Sequence, residues 1–398
     1  MARSWDWATS PDGIFQSFAI AVSADGATVV GQSSSLNGIQ AYRWTAADGM
    51  VGLGDLSGGA FTSMARGVSA DGSVIVGQGT TATGSGAFRW TAADGMVDLG
   101  DFPGGSTISV ARAVSRDGTI IVGRGVSTRG QEAFRWTQAT GLVPLGDLAG
   151  SGFQSEAFAI SGDTSTIVGQ GFSTISSPGL EACRWVGASG PVGLGDITGG
   201  GFSSVATATS DDGRTIVGSG TGVNVVLAYR WTTSGGLVSL DDLPGGVQSS
   251  GAFGVSSDGS VVVGYGNTAA GQEAFYWTQA GGMRRLWDVL LEHNVNPADS
   301  GWTSLNQAAA ITPDGNVIVG FGIRNGNQEA YRAVLEAGTT CPPCAADFNQ
   351  DGGVDGNDVG AFFDEWEGGG GCADANQDGG IDGADVDQFF TVWEQGSC

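Results

Sequence analysis

Short apolar runs alternate with glycine-rich breaks along the first 336 residues, and the runs recur in one fixed order. In one stretch the first run is Arg66-Gly67-Val68-Ser69, followed by Asp71-Gly72. The second, 73–77, is β-branched; the third, 87–91, alternates aromatic and polar residues; the fourth, 96–102, ends at Pro103-Gly104-Gly105. Period-2 alternation with β-branched and aromatic residues predicts strands, and Asp-Gly between two such runs predicts a hairpin.

The Asp-Gly phrase recurs at Asp25-Gly26, Asp71-Gly72, Asp117-Gly118, Gly162-Asp163, Asp212-Gly213, Asp258-Gly259 and Asp314-Gly315, at spacings of 46, 46, 46, 49, 46 and 56 residues. Four strands in a unit of about 45 residues are the mark of a propeller blade. The expected fold is mainly β: a seven-bladed β-propeller over residues 1–337, a linker at 338–343, and a small α module at 344–398. The seventh unit stops after three runs, so segment 4–8 is expected to supply its fourth strand and close the ring. An open solenoid is the alternative.

Charge removes several function classes. No Lys occurs, and 16 basic residues face 41 acids, for a net charge of −25. Nucleic-acid binding, which needs a basic patch, is not expected. Nor is a membrane span, since no apolar run is long enough. A monomer is expected. The only His is His293, so no Ser-His or Cys-His machinery clusters and no catalytic residue is assigned.

Residues that obey the repeat read as structural. Arg43, Arg89, Arg135, Arg184, Arg230 and Arg332 hold one blade position, and Asp55, Asp101, Asp147, Asp196, Asp242 and Asp288 another. Arg–Asp pairs within or between blades are the expectation. The Trp series from Trp44 to Trp277 is expected to pack between blades, and Cys183, standing where other units have Phe or Tyr, to be buried. The sixth unit breaks the pattern with about ten extra residues, 284–293, that read as a short amphipathic helix. Arg285, Trp287 and Trp302 there are weak ligand candidates.

The tail carries the sharpest chemistry. Two segments align at an offset of 27 residues, with oxygen donors at loop positions 1, 3, 5, 9 and 12. They are Asp347, Asn349, Asp351, Asp355 and Asp358, then Asp374, Asn376, Asp378, Asp382 and Asp385. Gly sits at position 6, and the carbonyls of Gly353 and Gly380 at position 7 complete each set. Hard oxygen donors in that number predict two calcium ions. Each loop precedes a helical pattern bearing Phe362, Phe363 and Trp366, then Phe389, Phe390 and Trp393, a candidate partner-binding face. Segment 344–398 holds 13 acids and no base, so its fold is expected to depend on calcium.

Four of the five cysteines, Cys341, Cys344, Cys372 and Cys398, crowd this tail, as disulfides in an oxidising compartment would. The N-terminal residues carry no apolar signal segment. The chain is therefore expected to be extracellular or at the cell surface, with its leader missing from the start.

The repeat text, Ala-Phe-Arg-Trp-Thr at 133–137, Leu-Gly-Asp-Leu at 145–148 and Val-Ser-x-Asp-Gly…Val-Gly at 114–123, resembles the HAF repeat of bacterial extracellular proteins. It departs from the name-giving His-Ala-Phe, with Glu132 or Gly86 at the His position. The tail, loop then helix twice with no entering helix, resembles dockerin, and most the planctomycete form ending in Gly…Cys, here Gly396-Ser397-Cys398. That resemblance implies a cohesin-like or other surface receptor. Cellulosomal dockerins usually carry a Ser-Thr type pair where this chain has Gly356-Asn357 and Gly383-Ala384, so their partner surface does not carry over. Because dockerin ends lie close together, the resemblance favours Cys344–Cys398, leaving Cys341–Cys372; a Cys341-x-x-Cys344 redox or zinc site is the rival. The expected function is a non-catalytic secreted or cell-surface propeller that binds protein or glycan and is attached to an extracellular assembly by its calcium tail. The alternative is an extracellular polysaccharide-acting propeller enzyme carried by a dockerin.

Overall fold

The computed structural model describes residues 16–150, 152–174, 179–187, 189–335, 346–348, 354–367, 373, 375 and 383–394. Two compact units result, one spanning Trp5–Val334 and one within Leu335–Cys398. The first is a seven-bladed β-propeller. Its sheets cover residues 17–52, 64–98, 109–146, 156–195, 204–241, 251–285 and 302–334, here blades one to seven. Each is an antiparallel meander of strands in sequence order.

The first strand of every blade touches the first strands of both neighbours, including Ser17–Val22 against Trp302–Ile311, so these strands form a closed inner ring. Hydrophobic clusters lie between blades rather than within them. Val30, Ala41 and Leu56 of the first meet Ala65, Ile75 and Phe88 of the second. Val317, Val319 and Ala330 of the seventh meet Ala19, Val29, Tyr42 and Trp44 of the first in the same way. The repeated Trp44, Trp136, Trp185 and Trp277 and the thiol of Cys183 are buried in these wedges.

Closure reuses the polar joints of the other blades. Ser63, Ser109, Ser155, Ser204 and Ser250 each accept, through Oγ, an N–H from the third strand of the preceding blade at 2.9–3.0 Å. Ser17 accepts the Ala330 N–H of blade seven at 2.9 Å, and Gln16 bridges Gln328 in parallel. The solenoid alternative is thereby set aside. Segment 4–8, the expected closing strand, lies outside the described residues; those of blade seven form three strands.

A second joint runs through the Ser-x-Asp-Gly turns. Ala24 donates to the Ala70 carbonyl, Ala70 to Arg116, Asp163 to Asp211, Asp211 to Ser257 and Ser257 to Pro313, all at 2.8–3.1 Å. Pro313 has no N–H to pass on. At that junction the Arg332 Nε donates to the Gly26 carbonyl at 2.8 Å, as the Arg230 Nε does to the Gly259 carbonyl at 3.3 Å between blades five and six. No helix among the described residues is long and apolar enough to cross a membrane.

Candidate functional site

In the C-terminal unit two helices stand where the sequence places them, α2 (Gly356–Glu367) and α3 (Gly383–Trp393), after an earlier helix of blade six, α1 (Leu286–Glu292). Phe362 and Phe389, at equivalent positions of α2 and α3, are fully buried and stack with ring centroids 4.1 Å apart and planes 12° off parallel. Phe348 meets both rings edge-on. Phe363 and Phe390 face each other at 6.4 Å, each with its own Trp, Trp366 or Trp393, beside it. The Trp393 Nε1 donates to the Asp355 carbonyl at 3.1 Å, tying the end of α3 to the first loop.

This corrects part of the expected partner face. Phe362 and Phe389 are the interior of the module, because two identical apolar stripes cover each other first. Phe363, Trp366, Phe390 and Trp393 stay partly exposed.

The loop positions that are described are Asp347, Asp355, Asp358 and Asp385. Asp358 and Asp385, at position 12, sit in the first turns of α2 and α3 and are fully buried. The Asp358 Oδ2 accepts the Asp355 N–H at 2.8 Å, and the Asp355 Oδ1 accepts the Asn357 N–H at 2.7 Å. Buried carboxylates need a cation or several donors, and segment 344–398 contains no Lys, Arg or His. An all-oxygen donor set fits a hard cation such as calcium. No group of three metal-ligating side chains gathers among the described residues. Asn349, Asp351, Gly353, Asp374, Asn376, Asp378, Gly380 and Asp382, and the cysteines 341, 344, 372 and 398, lie outside them.

The insertion in blade six forms α1, with Leu286, Val289 and Leu290 buried. Its candidate ligand residues do not converge. Arg285 pairs with Glu273 and, at 3.6 Å, with Asp288. Trp287 is half-buried on α1. Trp302 is only 2% exposed, edge-on to Tyr331 at 5.9 Å, so it is core and not a ligand platform.

The repeated Arg and Asp residues do not pair with each other, which overturns that expectation. Asp55 accepts N–H groups from Leu56, Thr62 and Thr80 at 2.8, 2.6 and 3.0 Å. Asp147, Asp196 and Asp242 repeat the pattern; Asp147, for one, binds the N–H groups of Leu148, Gln154 and Phe172. Each Asp latches an interblade loop to the second strand of the next blade. Burial raises the carboxyls of Asp147 and Asp196 even so. The arginines turn elsewhere: Arg43 to Asp48 at 3.1 Å, Arg89 to Asp94 at 3.7 Å, Arg184 over the Trp231 ring at 4.6 Å.

A feature absent from the sequence reading lies on the inner ring. Every first strand carries a bulge at one repeat position, leaving Ile20, Arg66, Arg112, Phe158, Thr207, Phe253 and Ala309 out of register. Bulges re-aim side chains. The Gly of strand two opposite the bulge is compulsory: a Cβ on Gly77 or Gly218 would lie 1.9 Å from a first-strand carbonyl oxygen. Five residue types share this one bulged position across the seven blades, and that column of variable residues was the signal in the sequence.

Charge concentrates at three of the blades. The Arg112 Nε donates to Glu156 Oε1 at 2.6 Å, and the Arg124 Nε lies 3.3 Å from the same oxygen. The Arg112 guanidinium sits over the Phe158 ring, 5.0 Å from its centroid. Arg66 reaches Gln78 at 3.4 Å and pairs with no carboxylate among the described residues. Burial, with Arg112 nearby, lowers its guanidinium to about 10.

No protein-family model matches the chain, and no curated protein matches it. Solved structures do, at low identity. Oligogalacturonate lyase from Vibrio parahaemolyticus aligns over 83% of this chain and 96% of its own, with 12% identity and a TM-score of 0.51. Kuenenia stuttgartiensis hydrazine synthase aligns over 84% and 99%, with 13% identity and a TM-score of 0.48. TolB from Acinetobacter baumannii aligns over 56% of this chain and 53% of its own, with 14% identity and a TM-score of 0.41. The likeness is one of propeller fold.

Proposed function

We propose that this protein is a non-catalytic extracellular or cell-surface propeller that binds a protein or glycan and is held on an extracellular assembly by a calcium-dependent, dockerin-like tail. The observation that carries the reading is the pair of position-12 carboxylates, Asp358 and Asp385, buried at the heads of two helices in a segment with no basic residue. Two calcium ions would be held by the loop positions named above and would bring positive charge to a segment that holds no Lys, Arg or His. Helices that already pack face to face through Phe362 and Phe389 suit a clasp better than a sensor that opens.

Recovery of the full chain on cell-envelope extract, with and without EGTA, tests the attachment. Binding is expected in calcium, lost in EGTA and lost in the Asp358→Asn/Asp385→Asn variant. Recovery indifferent to both contradicts it. A polysaccharide-acting enzyme is the second reading, favoured by Glu156 in the charged cluster of the inner ring. It requires cleavage of an acidic or neutral polysaccharide that Glu156→Gln abolishes.

A further inference from the structure

Sixteen arginines are all the strong bases in a chain of net charge −25, so any place where they outnumber acids is exceptional. The inner ring holds one. Arg66 and Arg112 stand at the bulged position of consecutive blades, Arg124 on the adjoining second strand, and the single carboxylate among them is Glu156. Three guanidiniums against one carboxylate leave two positive charges in excess. Structural salt bridges do not call for that surplus, since holding like charges together costs free energy.

Exposure is graded as a binding site requires. Glu156 is nearly buried, at 6%, whereas the side chains of Arg112 and Arg124 keep 21% and 31% of their surface. Glu156 thus fixes two guanidiniums from behind. Arg66 has spare capacity: its Nε is buried without a hydrogen-bond partner, and its Nη2 reaches only Gln78 and the Met64 sulfur. One aromatic ring borders the same strands, Phe158 under Arg112, 5.0 Å from its guanidinium. Guanidinium forks suit a two-oxygen anion, and an aromatic ring suits the face of a carbon ring.

We propose that Arg66, Arg112 and Arg124 form a binding site on the inner ring for the anionic group, carboxylate or sulfate, of a small acidic sugar. Arg66 and the exposed edges of Arg112 and Arg124 take the anion, Glu156 positions the latter two, and Phe158 meets the sugar ring. The proposal deepens the binding function above by naming a ligand class, and it is independent of the tail.

Calorimetric titration of the full chain in calcium, with glucuronate, glucose 6-sulfate and glucose as probes, tests it. Binding of an anionic sugar but not glucose is expected, weakened roughly tenfold or more in Arg66→Gln, which breaks no ion pair. The charge-matched Arg112→Gln/Glu156→Gln variant, which leaves no unpaired buried carboxylate, should lose binding while keeping its Tm. Glucuronate binding without glucose 6-sulfate identifies a carboxylate site, and the converse a sulfate site. Equal binding of glucose, no binding of either anion, or unchanged affinity in a folded Arg66→Gln chain would overturn the proposal. A separate calcium titration of the same sample keeps a failure here distinct from a failure of the tail.

Discussion

In six of the seven Asp turns, one per blade, the residue after Asp is a Gly with φ between 68° and 81°. Blade four places Thr164 there at φ 61°, a left-handed conformation that a β-branched side chain resists. Thr164→Gly should therefore stabilise the propeller by about 1 kcal/mol, read as a higher urea midpoint with unchanged slope. The Asp of the turn has its own signature. The Ser69 hydroxyl, then the N–H and hydroxyl of Ser73, hold the Asp71 carboxyl down at about 2, against an ordinary 3.8. A folded pKa below the unfolded one contributes stability above about pH 4 that is lost as pH falls toward about 2. Asp71→Asn should flatten the loss of stability across that window in urea unfolding at stepped pH. Asp147 and Asp196, raised by burial, act in the opposite sense, favouring the fold as they protonate.

Between strands and blades, the joints decide. Ser155 Oγ accepts the Ala133 N–H at 3.0 Å and donates to the Gly146 carbonyl at 2.8 Å, so Ser155→Ala strands one buried and one half-buried backbone group. A cost of about 2 kcal/mol is expected, measured by thermal or urea unfolding. Gly218→Ala is harsher, since its Cβ would lie 1.9 Å from the Val205 carbonyl oxygen; about 3 kcal/mol is expected. The strands were legible because a strand announces itself locally, by alternation and an Asp-Gly turn. The bulges were not, because a bulge exists only in the pairing of two strands. The Asp latches were misread for a similar reason. Asp55 finds Thr80 across a blade boundary, 25 residues on, while the sequence shows only an acid and an Arg at matching periods. In the tail, the two helices follow a local apolar pattern and could be read directly, but which aromatic rings face inward depended on how α2 and α3 meet.

At the scale of the whole molecule, the propeller closes by treating its ends as another blade junction. The Ser17 and Gln16 joints to blade seven repeat those between other blades, and the Arg332 bond to the Gly26 carbonyl repeats that of Arg230 to Gly259. Blades latched to both neighbours favour cooperative unfolding of the propeller as one body. The C-terminal unit follows a different rule: few residues, many acids and no base in segment 344–398, a composition in which we propose that the fold depends on bound cations. We propose that this unit is a two-ion calcium clasp. Calorimetric titration of calcium into the chelator-stripped full chain tests it most directly. Two ions per chain are predicted, falling to one in Asp385→Asn, with a calcium-dependent rise in Tm; a chain that binds no calcium, or binds it equally when both Asp358 and Asp385 are Asn, would contradict it.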